Sequence, residues 1–103
     1  MKTPNESEQT RGARSAAYVV QPHVQSAVVD GEAVIVNLQS NAYFTLSATA
    51  TVIWEAVQTG EDLERAAARL VEAFDVELTR AREDATAFVD ELLRNDLVHV
   101  KAA

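Results

Sequence analysis

A chain of 103 residues has room for one domain with a modest core and is too short for two. It contains no cysteine, which excludes disulfides, thiolate zinc sites and a cysteine nucleophile. The formal charge of −7 is unevenly spread: residues 1–17 carry +1, whereas residues 18–100 hold fourteen acidic and five basic side chains, and such an acidic body argues against nucleic acid, whose phosphates need a basic face.

Residues 1–17 (MKTPNESEQTRGARSAA) lack any large apolar residue after Met1. They cannot bury enough surface to offset the entropy of ordering, so a disordered tail is expected there and one folded domain over residues 18–103. The tail is too polar for a signal peptide, and no apolar run approaches the ~20 residues of a membrane span, so a cytoplasmic location is expected.

Val19-Val20-Gln21-Pro22 can open a strand, which Pro22 restricts to an edge or lead-in position. His23 to Val29 reads as the first full strand, and Asp30-Gly31 is a hairpin signal. The return strand is Ala33 to Leu38, and Gln39-Ser40-Asn41 is a second polar turn. Ala42 to Leu46 then carries a Tyr, a Phe and a β-branched Thr, with Phe44 and Leu46 on one face and Tyr43 and Thr45 on the other. This is the last strand of an antiparallel meander, and an exposed edge there offers unpaired N–H and C=O groups.

Ser47 supplies a helix N-cap. Ala50, Ile53, Trp54 and Val57 follow the i, i+3, i+4, i+7 template, so Ala48 to Gln58 is an amphipathic helix, with Gly60 at its C-terminal stop. Asp62 caps a second helix whose apolar stripe is Leu63, Ala66, Ala67, Leu70, Val71 and Phe74. Thr79 is the expected cap of a third helix, about Arg80 to Asn95. Its apolar arc (Leu78, Ala81, Ala85, Phe88, Val89, Leu92, with Leu93 on a flank) is wider than a minimal core stripe. Leu97-Val98-His99-Val100 ends the chain as a last strand or a strap across the core. The order is that of an α+β two-layer domain: a three-stranded antiparallel sheet followed by three helices, winged-helix-like in outline.

Catalytic chemistry is sparse. His23 and His99, the two imidazoles, lie near opposite ends of the ordered part and have no carboxylate or histidine at a ligand-like spacing. Glu83-Asp84 and Asp90-Glu91 put four carboxylates on the third helix, but adjacent helical positions point about 100° apart, so neither pair is a ready dyad. No loop has the Asp-rich, Gly-containing calcium pattern, and Ser47 is explained by its capping role. Neither an enzyme nor a bound metal or cofactor is expected.

The runs Asp30-Gly31-Glu32-Ala33-Val34-Ile35-Val36-Asn37-Leu38, Asn41-Ala42-Tyr43-Phe44-Thr45-Leu46-Ser47 and Ile53-Trp54 resemble the PqqD-like family, as do Asp62-Leu63 through Phe74-Asp75-Val76 and Asp84 through Leu92-Leu93 with Asp96-Leu97-Val98. The likeness covers about Gln21 to Val98, and its specificity lies in the order and spacing of the motifs more than in any one. Asn41-Ala42 replaces the family's Gly-containing turn, Ser47 stands where Asn is common, and Asn95-Asp96 replaces a Gly. The resemblance implies a recognition element for ribosomally made and modified peptides (RiPPs). Such a domain is a non-catalytic protein that binds the leader of a precursor peptide and presents it to a processing or modifying enzyme. Stand-alone versions of this length resemble both the PQQ-biosynthesis chaperone and the small half of the split lasso-peptide leader protease, the latter favoured here. In the family the leader lies as an added strand against the third strand, in the cleft beside the third helix.

On this chain that implies Ala42, Tyr43, Phe44, Thr45 and Leu46 as one wall. For the other wall the helix offers two flanks: the apolar one, with Arg82, Thr86, Val89 and Leu93, which is favoured, or the opposite one, with Arg80, Asp84 and Glu91. The alternatives to peptide recognition are a winged-helix DNA-binding or transcriptional module, which the acidic body disfavours, and a homo-oligomerising structural domain whose edge strands pair.

Overall fold

The computed structural model describes residues 17–101. Of the tail expected over residues 1–17, all but Ala17 lies outside the described residues. The elements run β1 (Tyr18–Val20), β2 (Val24–Val29), β3 (Glu32–Asn37), β4 (Ala42–Thr45), α1 (Ala48–Gln58), α2 (Leu63–Phe74), α3 (Leu78–Arg94) and β5 (Val98–Val100). This is an α+β domain in which three helices cover one face of an antiparallel sheet ordered β2-β3-β4.

Local chemistry sets the corners. Asp30 and Gly31 both have positive φ, 53° and 81°, the backbone of a tight hairpin whose twist matches its strands, and β2 pairs with β3 from Val24↔Asn37 to Val29↔Glu32. Ser47 caps α1 through a bond from the Ala50 N–H to its Oγ at 3.1 Å. Asp62 does the same for α2, accepting from the Arg65 N–H at 2.9 Å. Gly60, at φ 82°, follows the α1 C-cap, where a left-handed residue stops a helix without a Cβ penalty.

The core lies between the inner sheet face and the helices. Ala33 and Ile35 of β3 and Leu46 beyond β4 are buried with Ile53, Trp54, Leu70, Val89 and Leu92, each large apolar side chain contributing ~1.5–3 kcal/mol of burial. The polar groups that enter this layer are paired. The Trp54 indole N–H donates to Ser26 Oγ at 3.2 Å, and Thr51 Oγ1 accepts from the Ala33 N–H at 2.8 Å, tying α1 to β3.

Two features differ from the sequence expectation. The lead-in residues and the C-terminal tail pair with each other: β1 and β5 form a separate two-stranded antiparallel sheet, Tyr18↔Val100 to Val20↔Val98, closed by the Gln21 N–H to Leu97 carbonyl bond at 3.0 Å. Burial there, followed by the nearby Asp90 charge, pushes the Tyr18 hydroxyl above its ordinary pKa. The second difference is the start of α3, which begins at Leu78 with Glu77 as its N-cap, so Thr79 is not the cap. Asp75, at φ 53°, ends α2 in the left-handed region, and the chain re-enters a helix after only Val76 and Glu77. The Glu77 carbonyl accepts the Ala81 N–H at 2.9 Å, and Thr79 lies inside the first turn. Leu78, at the helix start, is 41% exposed and outside the core.

Candidate functional site

β4 ends the sheet order, and among the described residues no strand lies beyond it. Its register identifies which backbone groups face outward. β4 pairs with β3 as Val34↔Thr45, Ile35↔Phe44, Val36↔Tyr43 and Asn37↔Ala42, and the Leu46 N–H donates to the Ala33 carbonyl at 2.8 Å. Antiparallel pairs alternate between hydrogen-bonded and non-bonded, so Ala42, Phe44 and Leu46 turn their N–H and C=O groups toward β3. Tyr43 and Thr45 therefore turn theirs to the free edge, two donors and two acceptors. Their side chains stand on the outer sheet face, where Tyr43 is 73% exposed. Phe44 and Leu46 point to the helical side, and Leu46 is buried.

Beside this edge runs a groove. A cavity of about 200 Å³ is lined by Phe44, Thr45 and Leu46 from the strand side, by Phe88, Glu91, Leu92 and Asn95 from α3 and its end, and by Leu97. Leu46, Leu92 and Leu97 are buried and make an apolar floor, Phe44 and Phe88 are half-buried walls, and Thr45, Glu91 and Asn95 are exposed at the rim. Along α3 it meets a second cavity of about 260 Å³, lined by Ser47, Thr49, Ala50 and Ile53 from the α1 side and by Asp84, Ala87, Phe88 and Glu91 from α3. Phe88 and Glu91 belong to both, so the two form one cleft along the helix.

The structure brings Phe44, Thr45 and Leu46 into the groove and places Tyr43 on its edge strand. Ala42 stands half-buried at the start of that strand. It does not bring the favoured flank of α3 there, and none of Arg82, Thr86, Val89 and Leu93 lines the cleft. Arg82 reaches the other way, to α2, and its guanidinium holds both Glu64 oxygens at 2.9 and 3.1 Å. Val89 is 1% exposed inside the core, Leu93 is half-buried against it, and Thr86 is exposed outside the cleft. The flank beside β4 is the other one, with Asp84 and Glu91. Close packing of α3 on α2 turns the helix this way, since Ala66 and Ala67 of α2 and Ala81 and Ala85 of α3 are small and buried and let the two helices approach. Phe88, Leu92, Asn95 and Leu97 were not among the expected site residues. The small-residue faces of both helices were the signal that would have found them.

The electrostatics of the rim are those of solvated ion pairs. Asp84 accepts from Arg80 at 3.2 Å and Glu91 from Arg94 at 2.8 Å, both within exposed turns of α3. Among the described residues no three His, Asp or Glu side chains converge as metal ligands would. His23 bonds the Asp96 carboxylate at 3.2 Å, and His99 bonds the Gln21 side chain at 2.8 Å. No helix of the described residues is long and apolar enough to cross a membrane.

Fold and site together define a class: a small α+β domain with one sheet edge left open beside a helix-walled groove. The family model for coenzyme PQQ synthesis protein D (PqqD) matches residues 32–98, and the chain belongs to that family. Two solved structures share its fold. One is TbiB1 in complex with the TbiA(beta) leader peptide, at a TM-score of 0.74 and 26% identity over 82% of this chain and 98% of that one. The other is a lasso peptide synthetase B1 complexed with the leader peptide, at a TM-score of 0.73 and 28% identity over 81% of this chain and 98% of that one. No curated protein matches the chain.

Proposed function

We propose that this protein is a non-catalytic recognition element. It binds the leader of a ribosomally made precursor peptide as a strand added to β4, and it presents that peptide to a processing or modifying enzyme, a lasso-peptide leader protease being favoured. The observation that carries the reading is the open edge of β4 beside an apolar groove, in a fold shared with two proteins solved with leader peptides.

Strand addition draws affinity from main-chain hydrogen bonds and specificity from pockets for alternate side chains. A strand bonded to Tyr43 and Thr45 sends the residue opposite Phe44 into the groove, and its two neighbours along the outer sheet face. Each backbone bond is worth ~1 kcal/mol net, and each of two apolar anchors ~1.5–3 kcal/mol. Ordering a free leader takes back ~2–5 kcal/mol or more. With four edge bonds and two anchors the balance is ~2–8 kcal/mol, at its upper end about micromolar affinity. The same groove accounts for Phe44, Leu46, Phe88 and Leu92 as its apolar lining, while Glu91 and Asn95 stay at the wet rim.

The test is a titration of a fluorescein-labelled leader, taken from a precursor encoded beside this gene, into the parent protein and Thr45→Pro. The Thr45 N–H faces the free edge, so proline there removes one donor to the peptide and leaves the β3 ladder its bonds. Affinity should fall at least tenfold, the equivalent of ~1.4 kcal/mol. Unchanged binding by a folded Thr45→Pro protein would sink strand addition at β4.

A further inference from the structure

We propose that Asn37 is a positioning residue that sets the width of the groove between β4 and α3, an inference that rests on reading this groove as the peptide site. Asn37 is the last residue of β3, faces the helices and is only 4% exposed. The N–H groups of Gln39 and Ser40 converge on one terminal atom of its side chain at 2.9 and 3.2 Å. Two donors need an acceptor, so that atom is the oxygen, and the amide NH2 faces the Asn95 carbonyl at 3.3 Å.

One buried amide thus holds two walls. Its oxygen shapes the turn that delivers Ala42 and the free edge of β4. Its nitrogen pairs a carbonyl at the C-cap of α3, one of those a helix leaves without an internal partner. Among the described residues no hydrogen bond or ion pair joins β4 directly to α3. The adjoining residue, Asp96, has φ 57° and is held from the β1–β2 connection, by Gln21 at 2.8 Å and His23 at 3.2 Å. The turn after α3 is therefore fastened on two sides, and Asn37 is the fastening on the β4 side. Because Asn95 itself lines the groove, a shift of this turn moves the groove wall directly.

Asn37→Asp separates this role from general stability. The aspartate keeps the shape and the acceptor for Gln39 and Ser40, loses the donor, and sets a negative charge against the negative end of the α3 dipole. The chain has no cysteine, so a Tyr43→Cys/Thr86→Cys pair takes spin labels at those positions alone and reports the spacing of β4 and α3. The distance distribution should be narrow in the parent and longer or broader with Asn37→Asp. In unlabelled protein, leader affinity should fall about tenfold. Val57→Ala, a core change outside the groove, should lower the melting temperature and leave both readouts as in the parent. Asn37→Ser, whose hydroxyl accepts locally but does not reach Asn95, gives the same test should the aspartate fail to fold. An unchanged distance distribution overturns the proposal, and so does a widened groove that binds the leader as tightly as before. A widened groove in a protein whose parent binds no leader instead refutes the peptide reading and leaves the structural role of Asn37 in place.

Discussion

The two flanks of α3 do opposite things. The flank toward α2 is closed: Ala81, Ala85 and Val89 are buried, and Arg82 seals its edge by gripping Glu64. The flank toward β4 is open, because Phe88 stands half-buried between two cavities and the strand edge opposite it has no neighbour among the described residues. What separates them is side-chain size. Alanines let two helices meet, whereas a phenylalanine facing a four-residue strand holds a gap. A broad apolar arc on a helix is therefore two surfaces, and the small side chains mark the one that the protein uses on itself.

Substitutions on the two flanks should separate affinity from stability. The largest effect is expected from Phe88→Ala, which takes one wall from both cavities and should weaken leader binding about 10–100-fold, the equivalent of one buried anchor. Its counterpart on the closed flank, Val89→Ala, should cost roughly 1–3 kcal/mol in urea unfolding and leave affinity within about twofold. A reversal of these two outcomes would mean that the peptide uses the other flank. The smallest effect belongs to Arg82→Ala. Its pair with Glu64 is about two-fifths exposed on both sides, so stability should change by less than about 1 kcal/mol and leader affinity should not change measurably by fluorescence anisotropy.

Much of the fold was legible because its corners are local. Ser47, Asp62, Asp30-Gly31 and Gly60 each specify a cap, a hairpin or a stop within a few residues, and α1 runs over Ala48–Gln58 as its periodicity indicated. The cap at Thr79 failed because hydroxyl chemistry alone does not start a helix. After the left-handed turn at Asp75 the helix begins at Leu78, one residue before Thr79, with the extended Glu77 as its N-cap. The β1–β5 pairing joins residues some eighty positions apart, and three-residue strands carry too little pattern to announce their partner. The strand wall of the candidate site could be read from alternation, since Phe44 and Leu46 had to share a face. The helix wall could not, because a helical wheel counts apolar residues without saying which of them another helix has already covered. Arg82 looked like part of a groove until Glu64 appeared opposite it. Asn37 reads in the sequence only as a strand residue, and its pairing with the end of α3 joins positions 58 residues apart.

Strand addition requires free backbone groups on β4, and amide hydrogen exchange by NMR reads those groups one at a time. In the protein alone, the Phe44 and Leu46 amides should exchange slowly, being bonded to β3, while those of Tyr43 and Thr45 exchange fast. Saturating leader peptide should slow Tyr43 and Thr45 by at least tenfold and leave Phe44 as it was. Tyr43 and Thr45 amides that stay fast in the fully bound protein would contradict strand addition at this edge.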